Sequence, residues 1–404
     1  MDILFLHINF PAQFRHLAGH LAGDKRYRVF AIGSKQARKL TGTHLSTYNV
    51  IGNDLTDVHP FAQRFEVESR RAEQVLYAAT DLKRSGVTPE VIFFHPGWGE
   101  HFALRDVFPS AYMVSYCEFY YRTAGTDVGF DSEFPPLGLD GLVRLRARNA
   151  ATLLALVDSD VGISPTQWQR SLFPPELRPK INVVHEGINT EAILPNPNAK
   201  FTLPNERGTL RPGDEVITFA ARNLEPYRGY HIFMRALPRI LSARPNARVL
   251  IAGGNGVSYG ASAPPGQSWR EIFLSEVAEE LDLNRVTFCE TLPHDQFLAM
   301  LQVSRVHVYL TYPFVLSWSM LEAMACECLV VGSDTPPIRE VISDQQNGLL
   351  VPFFSLEQLA QTVIAAAERP RKYQQLRKEA RRTVVERFDL KICLPRWLSF
   401  VPVD

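Results

Sequence analysis

The sequence predicts an α/β protein built from two doubly wound domains that face each other across a cleft. Three observations predict this class. At 404 residues the chain is too long for one compact core and suggests two of roughly 200 residues each. Each half alternates short, continuously apolar runs with longer stretches of helical spacing, the pattern of a parallel sheet covered on both faces. Between the halves lies "ILPNPNAKFTLPNERGTLRPGD", residues 193–214, dense in Pro, Asn and Gly and without apolar periodicity. That stretch reads as an inter-domain linker, which puts a first domain at 1–192 and a second at 215–384.

The elements follow in order. "ILFLHI", "YRVFAIG", "VIFFHP", "YMVSYC" and "VDSDVGIS" are the strands of the first half, separated by helical stretches such as "VESRRAEQVLYAATDLKRSG". "VITFAAR", "RVLIAGG", "RVTFCET", "VHVYLTY" and "CLVVGSD" are those of the second. The opening "MDILFLHINFPAQF" has acidic Asp2 where a signal peptide would be positive, and its apolar run is too short for a bilayer. It reads as a buried first strand.

Composition excludes several classes. The 43 basic residues equal the 43 acidic ones, so no global field draws the chain to nucleic acid. Five cysteines without CxxC spacing argue against zinc and against a disulfide framework, and fit a reducing cytoplasm.

In open parallel sheets ligands bind beyond the carboxyl ends of the strands, so the residues just after each strand carry the information. In "ARNLEPYRGY", Arg222 and Arg228 offer paired donors for a diphosphate, where the bland reading is two surface arginines. Gly253 and Asn255 lie in "GGNG", which lacks the dinucleotide spacing and so does not indicate NAD. Ser317, Trp318 and Ser319 stand where a helix begins, with backbone N–H groups suited to phosphate. Glu322, one turn further, can accept from both hydroxyls of a ribose diol; its structural alternative is a pair with Arg339.

With these residues in hand, "SMLEAMACECLVVGSDTPPIREVI" resembles the nucleotide-binding signature of retaining glycosyltransferases of the GT-B fold, family 4 (group 1) type. "VGISPTQWQRSL", "INVVHEGINTEAILP" and "LLVPFFSLEQLA" extend the resemblance over nearly the whole chain. It implies two Rossmann-like domains, a nucleotide diphosphate sugar bound in the second and an acceptor mainly in the first, no cofactor and no metal. By position it implies that Arg222 and Arg228 hold the diphosphate, Glu322 the ribose, and backbone around Leu292 the base. It also implies that residues 385–404 pack back on the first domain. Two positions depart from the family: Phe314 stands where a glutamate is usual, and no histidine occurs at Tyr116, Cys117 or Glu118.

The first half supplies acceptor-side candidates. "FFHPGWGEH" and "VSYCEFYYR" place His95, Glu100, Glu118 and Arg122 at the cleft, with Glu118 near the reacting carbon. His95 reads equally as a core histidine. Tyr120, Tyr121, Trp98 and Phe119 offer aromatic surface for sugar rings, Gln13 follows the first strand, and residues 123–142 read as an acceptor-side lid. "DSD" at Asp158, Ser159 and Asp160 is set aside as a metal motif, because it ends a helix and opens a strand. The acceptor is expected to be a glycan, a lipid-linked sugar or a small molecule. A lipid-linked one would bring peripheral contact with the inner membrane face through "QFRHLAGHLAGDKRYR", whose plainer reading is a solvated helix. Two rivals stay open: an epimerase or phosphorylase on the same fold, and a catalytically silent binding subunit.

Overall fold

The computed structural model describes residues 1–49, 52, 54–204 and 208–402. The chain forms two compact units, Met1–Gly187 joined by the chain from Leu390, and Ile188–Asp389.

The first unit holds one parallel sheet of β1 (Asp2–Leu6), β2 (Arg28–Ser34), β3 (Thr43–Tyr48), β4 (Pro89–Phe94), β5 (Tyr112–Tyr116), β6 (Val161–Ser164) and β7 (Ile181–Val183). The strand order β3-β2-β1-β4-β5-β6-β7 reverses direction between β1 and β4. β1 and β4 are buried from end to end save Glu90, because helices cover both faces. Leu6 lies opposite Phe94, so the next residues of the two strands, His7 and His95, leave the sheet side by side at the point of reversal. β3, which sequence reading passed over, is a half-exposed edge strand whose Ser46 and Thr47 break the apolar run.

The C-terminal helix Leu390–Leu398 belongs to this first unit. Its Trp397 is buried against Phe14, Phe93 and Tyr116, and donates from Nε1 to the His185 carbonyl at 2.9 Å. The helix Arg15–Ala22 buries Leu17, Ala18 and Leu21 in the same core. Its apolar face is therefore occupied by the protein's own core. Among the described residues no helix is long and apolar enough to cross a membrane.

The second unit repeats the design with β10 (Val216–Asn223), β11 (Arg248–Gly254), β12 (Val286–Phe288), β13 (Val306–Tyr309), β14 (Leu329–Ser333) and β15 (Leu349–Val351) in the order β12-β11-β10-β13-β14-β15. The reversal falls between β10 and β13. Before it, β8 (Phe201–Thr202) and β9 (Thr209–Leu210) form a small antiparallel hairpin. This corrects the linker reading of 193–214. Ala199, Phe201, Leu203 and Leu210 are buried against Val216, Leu250 and Met300, so sparse but well-placed apolar residues dock a Pro-rich stretch onto the second core.

Candidate functional site

At the β10 and β13 ends of the second unit the chain must turn tightly. Gly229 sits at φ +67°, and a Cβ there would collide with the Leu310 side chain. The tight turn carries Arg228 inward. Arg228 is buried, and its Nη1 donates to Tyr309 Oη at 3.2 Å, Thr311 Oγ1 at 2.8 Å and the Val315 carbonyl at 3.1 Å. The two arginines expected as paired donors thus differ: Arg228 braces β13 against the loop that follows it, while Arg222 is exposed and, among the described residues, makes no side-chain hydrogen bond.

The glycine-rich loop after β11 is also already engaged. Glu225, fully buried, accepts from the backbone N–H groups of Ser258, Tyr259 and Gly260 at 3.1–3.3 Å. Asn223 accepts from Gly256 N at 3.1 Å and donates to Ser258 Oγ at 2.7 Å. A Cβ at Gly253 would lie 2.8 Å from the Ala221 carbonyl, so glycine is needed there for strand-to-loop packing. Asn255 is exposed, 3.5 Å from Arg270 Nη1. The backbone donors of this loop are thus filled by the protein's own carboxylate.

Ser317 caps the helix Trp318–Ala325. Its N–H donates to Tyr309 Oη at 2.9 Å and its Oγ accepts from Ser319 N at 3.3 Å, so two of the three N–H groups expected to face a ligand are occupied. Trp318 is 39% exposed. One turn in, Glu322 does not pair with Arg339, which binds Asp334 at 2.7 Å. Glu322 Oε1 instead meets His294 Nε2 at 2.7 Å, the glutamate side chain being 13% exposed and the histidine 56%. His294 opens the helix His294–Val303 just after Leu292 and Pro293; Leu292 is half-buried on the second core.

Phe314 is buried in an aromatic wall. Its ring centroid lies 4.9 Å from Tyr259 and 5.5 Å from Tyr227, and Tyr227 packs at 4.7 Å on Tyr312. The Arg228 guanidinium carbon lies 5.3 Å from the Tyr259 centroid.

In the first unit, the ends of β1, β4 and β5 gather His7, His95 and Glu118. Glu118 is held by both oxygens: Gln13 Nε2 donates to Oε1 at 2.9 Å and His95 Nε2 lies 3.3 Å from Oε2. Because Gly97 N donates to His95 Nδ1 at 3.0 Å, the His95 proton resides on Nε2 and points at the carboxylate. Trp98 packs on His95 at 4.5 Å and on His7 at 4.9 Å. His7 has its Nδ1 occupied by Asn9 N at 2.9 Å, while its buried Nε2 makes no hydrogen bond. Burial holds the His7 pKa well below the usual range, with His95 adding to the effect and Gln13 opposing it.

Other expected residues stand apart. Tyr120 packs on Phe173, and Arg122 is exposed without a side-chain partner among the described residues. Glu100 does not line a cleft: it is fully buried, accepts from the Tyr48 hydroxyl, and burial pushes its carboxyl up to about 7. Phe119 is buried, and Tyr121 carries Arg148 3.9 Å over its ring. The helix Leu139–Ala147 takes up the end of the 123–142 stretch. Asp160 ties β5 to β6, accepting from Met113 N at 2.7 Å and Arg105 at 2.9 Å. Sequence reading missed His7, Glu225 and His294. Each follows or borders a strand end, the one signal that could have found them.

Comparison with known proteins adds the rest. The profile of "Glycosyl transferase family 4 group" matches residues 25–193, and that of "Glycosyl transferases group 1" matches 204–383. A D-inositol 3-phosphate glycosyltransferase of Mycobacteroides abscessus is 27% identical over 186 residues, 46% of this chain and 38% of that protein. The D-inositol 3-phosphate glycosyltransferase of Segniliparus rotundus is 26% identical over 199 residues, 48% of this chain and 41% of that one. The matches thus span about two fifths of these relatives' own lengths. Among solved structures, sucrose-phosphate synthase of Thermosynechococcus elongatus superposes with a TM-score of 0.74 at 17% identity, covering 99% of this chain and 98% of that one. Anabaena HepE in complex with UDP gives 0.66 at 14% identity, covering 99% of both. These likenesses establish the GT-B fold.

Proposed function

We propose that this chain, which belongs to the group 1 glycosyltransferases and carries a first unit of the family 4 group, moves a sugar from a nucleotide diphosphate sugar to an acceptor hydroxyl with retention at the anomeric carbon. The observation that carries the reading is Glu322, an almost buried carboxylate held at the head of its helix by a solvent-exposed histidine. A carboxylate kept at the ligand-binding edge of a doubly wound sheet, with no Arg or Lys pairing it among the described residues, is available to a ribose diol.

In this reading Arg222 reaches the diphosphate, and Arg228 fixes the loop while adding positive charge nearby. The two arginines serve where a metal would otherwise neutralise the leaving group. Glu118, oriented by Gln13 and His95, serves the acceptor side. The acceptor is a glycan or lipid-linked hydroxyl, and the setting is cytoplasmic. The UDP named in the HepE complex makes uridine the first base to try.

Calorimetric titration with UDP, GDP, ADP and dTDP tests the reading: one nucleotide should bind, and Arg222→Ala should weaken it about tenfold or more. No binding of any nucleotide would sink it. The buried Arg228 favours one second reading, the silent binding subunit, which predicts binding without nucleotide release in the presence of any acceptor.

A further inference from the structure

We infer that the sugar subsite of this chain is an aromatic wall, with Tyr227 and Tyr259 at its face and the buried Tyr312 and Phe314 behind them, and that it selects a sugar by an apolar ring face rather than by its individual hydroxyls. The inference rests on the donor-site reading above and deepens it.

The wall is built, not incidental. Glu225 and Asn223 pin the 256–260 loop through four backbone N–H groups, which fixes Tyr259 beside Phe314 at 4.9 Å and beside Arg228 at 5.3 Å. Tyr227 stands on the adjoining turn, 6.4 Å from Tyr259 and 4.7 Å from Tyr312. The Tyr312 N–H donates to the Tyr227 carbonyl at 3.0 Å, so the two loops after β10 and β13 are tied as well. Tyr227 and Tyr259 are only partly buried and present ring surface beside the arginine turn.

Tyr227 and Tyr259 bring aromatic surface and no carboxylate to the wall, and Tyr312 and Phe314 back them from the core. Glu225, which borders them, has its oxygens occupied by backbone donors. A site that hydrogen-bonds a substrate hydroxyl through a buried charged group rejects the analogue lacking it by about 10⁴-fold, because the group is left unpaired. An apolar site discriminates by only about 10–100-fold per group. The donor class that fits is therefore a nucleotide sugar with an exposed apolar ring face, deoxy sugars included.

The test is calorimetry with UDP, GDP, ADP and dTDP, their glucose conjugates, and the 4-deoxyglucose conjugate of the best-bound nucleotide. The deoxy conjugate should bind within about tenfold of the glucose one. Tyr259→Ala should abolish the affinity difference between nucleotide sugar and free nucleotide, leave the free nucleotide unchanged, and be matched to wild type by Tyr259→Phe. A deoxy conjugate rejected by about 10³-fold or more overturns the inference, as does a Tyr259→Ala variant that retains the sugar's contribution or loses free nucleotide equally. Failure of every free nucleotide to bind wild type would instead remove the donor site itself, and this subsite with it.

Discussion

Glu322→Ala separates the two roles open to this carboxylate. Its visible partner is His294, 56% exposed, and a contact that open to water contributes about 0–1 kcal/mol even if charged. If the pair is all that Glu322 does, the variant loses that much stability and nothing else. If Glu322 accepts from a ribose diol, each charge-assisted hydrogen bond removed costs about 1.5–3 kcal/mol, or roughly 10–150-fold in affinity per bond. The expected result is a nucleotide Kd raised at least about tenfold with an unfolding free energy within about 1 kcal/mol of wild type, measured by calorimetry and urea titration on the same preparations. A 2′-deoxynucleotide completes the cycle: it should bind wild type more weakly than the ribonucleotide, and Glu322→Ala should no longer distinguish the two. Unchanged affinity with a stability loss of about 2 kcal/mol or more would show Glu322 to be structural.

Three further outcomes are expected. Gly229→Ala forces a Cβ against Leu310 in a left-handed turn and should destabilise the protein by about 1–2 kcal/mol or more in urea, with Arg228 displaced. Trp397→Ala should cost about 3–5 kcal/mol in the same assay, because the indole fills the first unit's core rather than a terminal surface. Acidification from pH 7 to 5 should lower stability. Burial holds His185 and His101 at about 3 and His307 at about 4, so below pH 6.5 only the unfolded chain takes up these protons, at about 2 kcal/mol per histidine by pH 5. Glu100, raised by burial to about 7, acts in the opposite sense, stabilising the fold by about 2–3 kcal/mol over that range as it protonates first in the native state. Thermal midpoints that rise toward pH 5 would contradict this balance.

What the sequence made legible was whatever a continuous apolar run can encode. β1, β4, β10, β11 and β14 are buried on both faces and read directly as Val, Ile, Leu and Phe strings. β3, with its polar edge face, and the three-residue strands β7 and β15 carry too little periodicity to stand out. The hairpin at 201–210 was hidden because it lies within a stretch rich in Pro, Asn and Gly, and its packing rests on only Phe201, Leu203 and Leu210. In the site, strand ends pointed to Arg222, Arg228, Glu322, His95 and Glu118, since topology fixes where the loops emerge. Partner identity was not legible. Pairing Glu322 with His294, or filling the glycine-rich nest with Glu225, depends on loop geometry that no spacing rule records.

The C-terminal helix Leu390–Leu398 ties the order of synthesis to the order of folding. Ile188–Asp389 lies between two segments of one compact unit, and Trp397 belongs to the core built around β1 and β4. A ribosome delivers residues 2–183 long before it delivers Trp397, so the nascent first sheet waits with part of its apolar surface uncovered. The second unit, contiguous in sequence, has all its strands in hand first. The first unit is therefore begun before the second and completed after it, and a product arrested before Leu390 would leave the first sheet with exposed apolar surface, a target for chaperones and proteases.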